Sequence, residues 1–250
     1  MIETNGTDGA NAQFGPGRLD PNGRVIMLSG ANRGIGAAIA RRLVDAGYRL
    51  SLGARSPAGI ERNNDDNCLC QAFDALDPES PQAWADATVA KFGRIDGLVN
   101  NAGVAAAFGF DDGDEADLDR MLEVNLKAPY RLIRAALPHL RAAGTGRIVN
   151  ITSLAGMRYK RGSAGYAMSK FAAMGLNSAA RSSLWDDGIR VTAVAPGPVN
   201  TDMMPQSDAW TRDDVTQPET IADIVALVLA MPNNASVAAI PINAVFEPLP

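Results

Sequence analysis

From Arg24 onward, short apolar runs rich in β-branched residues alternate with longer amphipathic stretches. Alternation of this kind marks a parallel sheet covered on both faces by helices. It predicts strands at Val25–Ser29, Arg49–Ala54, Leu69–Phe73, Gly97–Asn100, Arg147–Ile151, Arg190–Ala195 and Ala238–Pro241. Apolar positions at three- and four-residue spacing predict helices over Gly34–Ala46, Pro81–Phe92, Glu115–Ala143, Ala164–Asp187 and Glu219–Met231. Pro138 is expected to kink or end the third of these. Residues 1–23, rich in Gly, Asn and Asp without an apolar period, read as a flexible N-terminal arm. No Pro-, Ser- or Gly-rich linker divides the remainder, so residues 24–250 are expected to form one α/β domain with a doubly wound, seven-stranded parallel sheet flanked by helices.

Composition narrows the chemistry. The 250 residues, 46% apolar and 20% charged, suffice for a sizeable core, which excludes disorder and disulfide-stapled miniature folds. One histidine, His139, and two cysteines, Cys68 and Cys70, leave no material for a zinc finger or for catalysis shared among several histidines, and no metal site is expected. His139 itself reads as a surface or packing residue, and the Cys-x-Cys pair as small buried hydrophobes on one face of a strand in a reducing compartment. A net charge of -5 argues against a general nucleic-acid or anionic-membrane binder. The longest uninterrupted apolar run, Ile224 to Met231, is far short of a membrane span, and no signal-peptide pattern opens the chain. The expectation is a cytoplasmic protein with neither nucleic-acid nor membrane partners.

The first predicted strand is followed by Ser29-Gly30-Ala31-Asn32-Arg33-Gly34-Ile35-Gly36 and then by an Ala-rich helix. Glycines where a strand turns into a helix let the backbone approach a pyrophosphate, and the helix N-terminus faces the anion. The spacing is Gly-x-x-x-Gly-x-Gly, not the more common Gly-x-Gly-x-x-Gly. Four further motifs follow in order: Asn100-Asn101-Ala102-Gly103 after the fourth strand with Asn125 in the next helix, Ser153 ending the fifth strand, Tyr166-x-x-x-Lys170 opening a helix, and Pro196-Gly197 with Thr201 after the sixth strand. From Arg24 to Met203 the chain resembles the short-chain dehydrogenase/reductase family, whose fold is Rossmann-type. Ser29 stands where the family usually has Thr, a change that keeps the hydroxyl.

The resemblance implies a nicotinamide cofactor held by Gly30, Asn32, Arg33, Gly34, Ile35, Gly36, Arg55, Asp74, Asn101, Ala102, Gly103, Tyr166, Lys170, Pro196, Gly197, Val199 and Thr201. The second strand ends in Gly53-Ala54-Arg55, with no acid to accept from the ribose hydroxyls. Arg33 and Arg55 suit a 2′-phosphate, and in similar family members basic residues here accompany NADPH. NADP is therefore expected, with NAD the alternative. Asp74 matches the position that contacts the adenine amino group, while Asn101 and Gly103 line the adenosine side.

Tyr166 and Lys170, four residues apart, share one helix face. A phenol loses its proton near pH 10, but a cation about 4 Å away at an effective dielectric of about 20 favours the phenolate by roughly 4 kcal/mol. That gives Tyr166 the role of general acid/base at neutral pH. Ser153 is placed to polarise the carbonyl and stabilise the developing alkoxide. By resemblance, Lys170 also binds the ribose and Asn125 holds a water linking Lys170 to solvent. The expected reaction is reversible hydride transfer between the cofactor and a carbonyl or alcohol substrate, the activity of an NAD(P)-dependent short-chain dehydrogenase/reductase.

Leu154, Ala155, Met157 and Tyr159 are expected to line the substrate pocket, and 202–217, anchored by Met203, Met204 and Trp210, to form a short lid. Arg158, Lys160 and Arg161 either solvate an exposed turn or attract an anionic substrate. The resemblance suggests a homo-oligomer, a dimer or a homotetramer, through helix faces. Its Val-Asp-Gly-Gly ending is replaced here by Ala-Ile-Pro-Ile-Asn-Ala-Val-Phe-Glu-Pro, similar to a branch of NADP-preferring members acting on hydroxy acids and small alcohols. Two rivals remain open. A cofactor-binding sensor or regulator without turnover would show loss of Ser153, Tyr166 or Lys170, and all three are present. A nucleotide-sugar epimerase or dehydratase would ordinarily carry a second substrate region that this chain lacks.

Overall fold

The structure, a computed structural model, describes residues 17–61, 64–159, 163–204 and 211–244. Seven strands form one parallel sheet: β1 (Val25–Ser29), β2 (Arg49–Ala54), β3 (Cys68–Ala72), β4 (Gly97–Asn100), β5 (Arg147–Ile151), β6 (Arg190–Pro196) and β7 (Ala239–Ile242). Their order is β3-β2-β1-β4-β5-β6-β7. The strands are apolar on both faces because both faces are covered. In β1, Ile26 and Leu28 point into one core layer and Met27 into the other. The first layer takes Ile39 and Leu43 from α1 (Gly34–Asp45) and Ile221, Val225 and Leu229 from α6 (Pro218–Ala230). The second takes Trp84 from α2 (Ser80–Phe92), Leu132, Ala136 and Leu140 from α4 (Ala128–Ala143), and Ala180 from α5 (Ala164–Ser183).

Beneath α2, the polar side chains in the second layer pair with one another. The Trp84 indole N–H donates to Ser51 Oγ at 2.8 Å, and the Ser51 hydroxyl meets Thr88 Oγ1 at 2.7 Å. The N-terminal edge of the sheet is closed by charge. Asp96, fully buried, accepts from the Val25 N–H and from two nitrogens of Arg94. Arg147 donates to the carbonyls of Gly146 and Met231; burial, then the charges of Arg24 and Arg190, lower its pKa to about 10.

The edges of β6, α1, α2 and α6 differ from the sequence reading by one residue. β3 and β7 are each displaced by one residue, and α5 ends at Ser183. Pro241 sits in β7, an edge strand, where a missing N–H is tolerated. The expected helix Glu115–Ala143 is three pieces: α3 (Glu115–Leu122), a π turn (Glu123–Lys127) and α4. Pro138 does not end α4. The helix runs through it to Gly144, whose φ of 65° supplies the left-handed cap, because the buried stripe continues past it at Leu140. The interruption lies instead at the π turn, which carries Asn125 inward.

Of the 1–23 segment, residues 1–16 fall outside the described residues. Leu19 N–H donates to Ala230 O and Pro21 is buried, so the stretch just before β1 packs against the end of α6. Between β1 and β4 the connections reverse direction, and the C-terminal edge there opens a crevice.

Candidate active site

The turn from β1 into α1 is fixed by backbone contacts. Gly30, at φ +68°, donates its N–H to Gly53 O on β2 at 2.8 Å, and Gly34 has φ +52°. A Cβ on Gly36 would lie 2.0 Å from Gly30 O and 2.6 Å from Asn101 Nδ2, so only glycine lets α1 start this close to the turn. Asn101 Nδ2 donates to Ser29 O and Gly30 O. Ser29 Oγ in turn accepts from the Asn101 and Ala102 N–H groups at 3.0 Å each, stitching β1 to the end of β4. Thr201 reaches over the same turn, its Cγ2 3.1 Å from a Cβ built on Gly34.

Arg33 caps the start of α1 and pairs with Asp202 at 3.5 Å across the mouth of the crevice, both side chains well exposed. Arg55 is exposed beyond the end of β2. Asp74 is exposed after β3, where its Oδ1 accepts from the Leu76 N–H and its own N–H donates to Ser80 Oγ. Asn32 approaches Gly59, and Ile35 packs on the first core layer. Pro196 ends β6, Gly197 donates its N–H to Ile242 O on β7, and Val199 bridges to Thr216.

Across the crevice, the π turn and α5 bring Asn125, Tyr166, Ser169 and Lys170 together. Lys170, 7% exposed, donates from Nζ to Ile151 O at 3.3 Å, and its ammonium lies 5.6 Å from the centre of the Tyr166 ring. A Cβ on Gly103 would be 3.3 Å from Asn125 Oδ1 and 3.8 Å from Lys170 Nζ, so glycine leaves these groups room to meet. Asn125 clamps the Val104 peptide, Oδ1 accepting from its N–H and Nδ2 donating to its carbonyl, each at 2.9 Å. The same Nδ2 donates to Ser169 Oγ, whose hydroxyl donates to Tyr166 O. Ser153 follows β5; its Oγ accepts from the Ala155 N–H and lies 3.4 Å from Pro196 O.

The crevice opens into a cleft of about 220 Å³ lined by Arg33, the Gly103–Ala106 stretch, Asp117, Arg120, Met121, Asp202 and Met203. Leu154, Ala155, Met157 and Tyr159 do not border it, and neither do Ser153, Tyr166 and Lys170. The short turn Leu154–Gly156 rotates Leu154 inward, where it is buried 3.2 Å from a Cβ built on Gly197. Reading the sequence missed the β4–α3 loop as the wall, and Ser169 as the link between Asn125 and Tyr166. Met121 carried a signal, four residues before Asn125 on a helical run. Lys160, Arg161 and Trp210 lie outside the described residues, as do residues 205–210 of the expected lid. The rest of that segment folds back: Asn200 N–H donates to Thr216 O, and Arg212 donates to Asn200 Oδ1. His139 is half-buried on α4, Cys68 is buried on β3 and Cys70 half-buried beside it. Among the described residues no helix is long and apolar enough to cross a membrane.

A family profile described as short chain dehydrogenase matches residues 24–212. The chain belongs to the short-chain dehydrogenase/reductase family. It is 41% identical over 217 residues to an agropine synthesis reductase of Rhizobium rhizogenes, covering 85% of this chain and 50% of that protein. The chain thus spans about half the length of that curated relative. A metagenomic short-chain oxidoreductase in complex with NADP superposes with a TM-score of 0.76 at 34% identity, covering 92% of this chain and 100% of the other. A 3-ketoacyl-(acyl-carrier-protein) reductase from Brucella melitensis, complexed with NADH, gives 0.81 at 25% identity, covering 89% and 96%.

The short-chain dehydrogenase/reductase family implies a nicotinamide dinucleotide, and the residues present fit one. The missing Cβ at Gly36 lets the main chain of the turn pack against the start of α1, with Thr201 beside Gly34, the close backbone approach that a pyrophosphate requires. Neither Arg33 nor Arg55 is fixed inside the protein, so both guanidinium groups can swing toward an adenosine phosphate.

Proposed function

We propose that this protein catalyses reversible hydride transfer between a nicotinamide cofactor, NADP in preference to NAD, and a small carbonyl or alcohol substrate. The observation that carries the reading is the buried Lys170 ammonium lodged between the Tyr166 ring, Ile151 O and the Asn125–Gly103 contact, where Gly103 also lines the cleft that Arg33 of the glycine turn borders. Gly30, Asn32, Gly34, Ile35 and Gly36 would hold the pyrophosphate, Arg33 and Arg55 the 2′-phosphate, and Asp74, Asn101, Ala102 and Gly103 the adenosine side. Pro196, Gly197, Val199 and Thr201 would form the opposite wall. When bound, the cofactor supplies or accepts the hydride.

The chain's own groups do the rest. Ser153 Oγ donates to the carbonyl oxygen as negative charge grows there. Tyr166 gives that oxygen its proton, and takes it back in the reverse direction. The Lys170 cation favours the phenolate left behind and would bind ribose hydroxyls. Asn125 adjoins a small space of about 10 Å³ bordered by Asn100, Asn150, Thr152 and Lys170, the size of one water. Asn100 Oδ1 is buried there without a hydrogen-bond partner among the described residues, so a water would satisfy it and connect Lys170 outward.

The proposal includes a cytoplasmic homo-oligomer, dimer or tetramer, supported by exposed Tyr130 on α4 and Met168 and Phe171 on α5. It also includes one unit over 24–250 with 202–217 as a lid. The test is nicotinamide absorbance with NADPH and NADH against ketones, aldehydes, sugars and hydroxy acids. Tyr166→Phe is expected to lower turnover by about 10²- to 10⁴-fold, while the cofactor dissociation constant stays within about twofold. Turnover close to wild type would remove Tyr166 from the mechanism.

A further inference from the structure

Two glycines beside the active site are there to admit a ring. Gly165 immediately precedes Tyr166 on α5, and a Cβ built on it would lie 2.1 Å from Phe108 Cζ and 2.7 Å from Phe108 Cε2. Gly113, at the far end of the β4–α3 loop, would bring a Cβ within 2.7 Å of Phe108 Cδ2. Neither glycine has a positive φ, so backbone conformation does not call for glycine at either position; the space does. Met121 Cε, the end of a flexible but buried side chain, also lies 2.8 Å from the Gly165 Cβ position, so the ring at 2.1 Å is the nearer obstacle.

The loop around Phe108 is tied to the same helix. Ala164 N–H donates to Phe108 O at 3.0 Å, and Ser163 Oγ lies 3.4 Å from Ala106 O. Further along, Gly109 N–H donates to Asp112 Oδ1, tightening the turn beyond the ring. The loop's first residues, Gly103–Ala106, line the cleft, and Asn125 clamps Val104.

We propose that Phe108 is a positioning residue: by filling the slot between Gly113 and Gly165 it registers the first turn of α5 against the cleft wall, and so sets Tyr166 against the substrate carbonyl. The kinetic part of this inference rests on the reductase reading; the packing part does not. A reacting group misplaced by about 1 Å costs on the order of 100-fold in rate, so a methyl forced into this slot is costly.

The experiment compares Gly165→Ala, Phe108→Ala and the double variant, by kcat, by cofactor dissociation constant, and by hydrogen exchange over residues 103–114. Gly165→Ala is expected to lower kcat by about 10- to 100-fold, with cofactor affinity within about twofold and faster exchange in the loop. Phe108→Ala alone lowers kcat by about fivefold, yet raises it in the Gly165→Ala background by about fivefold, because the ring that collides with the new methyl is gone. A fall in kcat on adding Phe108→Ala in both backgrounds overturns the proposal. Should Gly165→Ala not fold, Phe108→Leu decides: the shorter, unrigid side chain should lower kcat at constant cofactor affinity, and an unchanged kcat overturns the proposal. If wild type shows no nicotinamide-dependent turnover, the reductase reading fails on its own. The exchange data then still judge the packing, which is rejected if Gly165→Ala leaves the loop as protected as wild type.

Discussion

Gly36 and Gly165 each stand one step from the chemistry, and a Cβ fits at neither, but the obstacles differ in kind. At Gly36 the obstacle is main chain, the Gly30 carbonyl at 2.0 Å, backed by the Asn101 amide that holds that same carbonyl. At Gly165 it is a side chain, the Phe108 ring. The cofactor half is therefore built from backbone against backbone, with Gly30 bonded to Gly53 and Ser29 stitched to Asn101 and Ala102. The substrate half is built from side chains against a loop. A main-chain obstacle cannot be removed by any substitution, whereas a side-chain obstacle can be traded away. One half is consequently rigid in sequence and the other open to exchange of partners.

Gly36→Ala is the strongest attempt to break this contrast. Overpacking costs about 1–3 kcal/mol, and here the displaced atoms are those of the cradle itself, so cofactor affinity should fall by on the order of 100-fold with a lower melting temperature. Asn101→Ala added to it should recover none of that affinity, since the Gly30 carbonyl is still in place. Nucleotide titration of the single and double variants reads this directly, and recovery in the double would show that the two glycines are the same kind of device.

The same division explains how much could be read from the sequence. The Gly-x-x-x-Gly-x-Gly run, Asn101 and the strand pattern were legible because backbone-built structure demands fixed residue types at fixed spacing. Strands β1, β2, β4 and β5 fall on their expected residues because burial on both faces leaves an uninterrupted apolar run. Tyr166 and Lys170 were legible through helical spacing. The Phe108 slot was not, because its members lie on separate elements and each is ordinary locally. The π turn at Glu123–Lys127 was hidden too: the apolar period runs through it almost unbroken, while Pro138 offered a stronger local stop signal that packing overrode. The inward turn of Leu154 was hidden as well, because a short turn can aim a residue either way.

The cofactor half has one part made of side chains, and there the contrast predicts tunability. Arg55→Asp removes a charge-assisted contact to a 2′-phosphate and adds repulsion, so the KM for NADPH should rise about tenfold while that for NADH falls or holds. Equal catalytic efficiency with both cofactors in wild type would sink the NADP assignment. Arg33 gives a smaller effect, since its guanidinium already pairs with Asp202. An exposed pair of this kind is worth about 0–1 kcal/mol, so Asp202→Asn should tighten NADPH binding by at most about fivefold, and less at high salt.

The smallest effect is expected where side chains hold an element without a steric obstacle. Glu123 opens the π turn that carries Asn125, and its carboxylate accepts from Arg131 and from Lys127, the latter at 3.0 Å. Burial alone would raise its pKa, but the hydrogen bonds from Arg131 and Lys127 outweigh it and hold the group below the ordinary glutamate range. A carboxyl whose pKa is depressed on folding contributes stability that is present above its unfolded pKa, about 4.3, and is lost as pH falls through the lower folded value. Glu123→Gln should therefore cost about 0.5–1 kcal/mol in urea unfolding at pH 7, and the gap to wild type should close on acidification to about pH 3. A gap that stays constant across that range would mean the carboxylate does not hold the π turn by charge. The turn would then be set, like the glycine cradle, by backbone packing, and the boundary between the two halves would move to include Asn125.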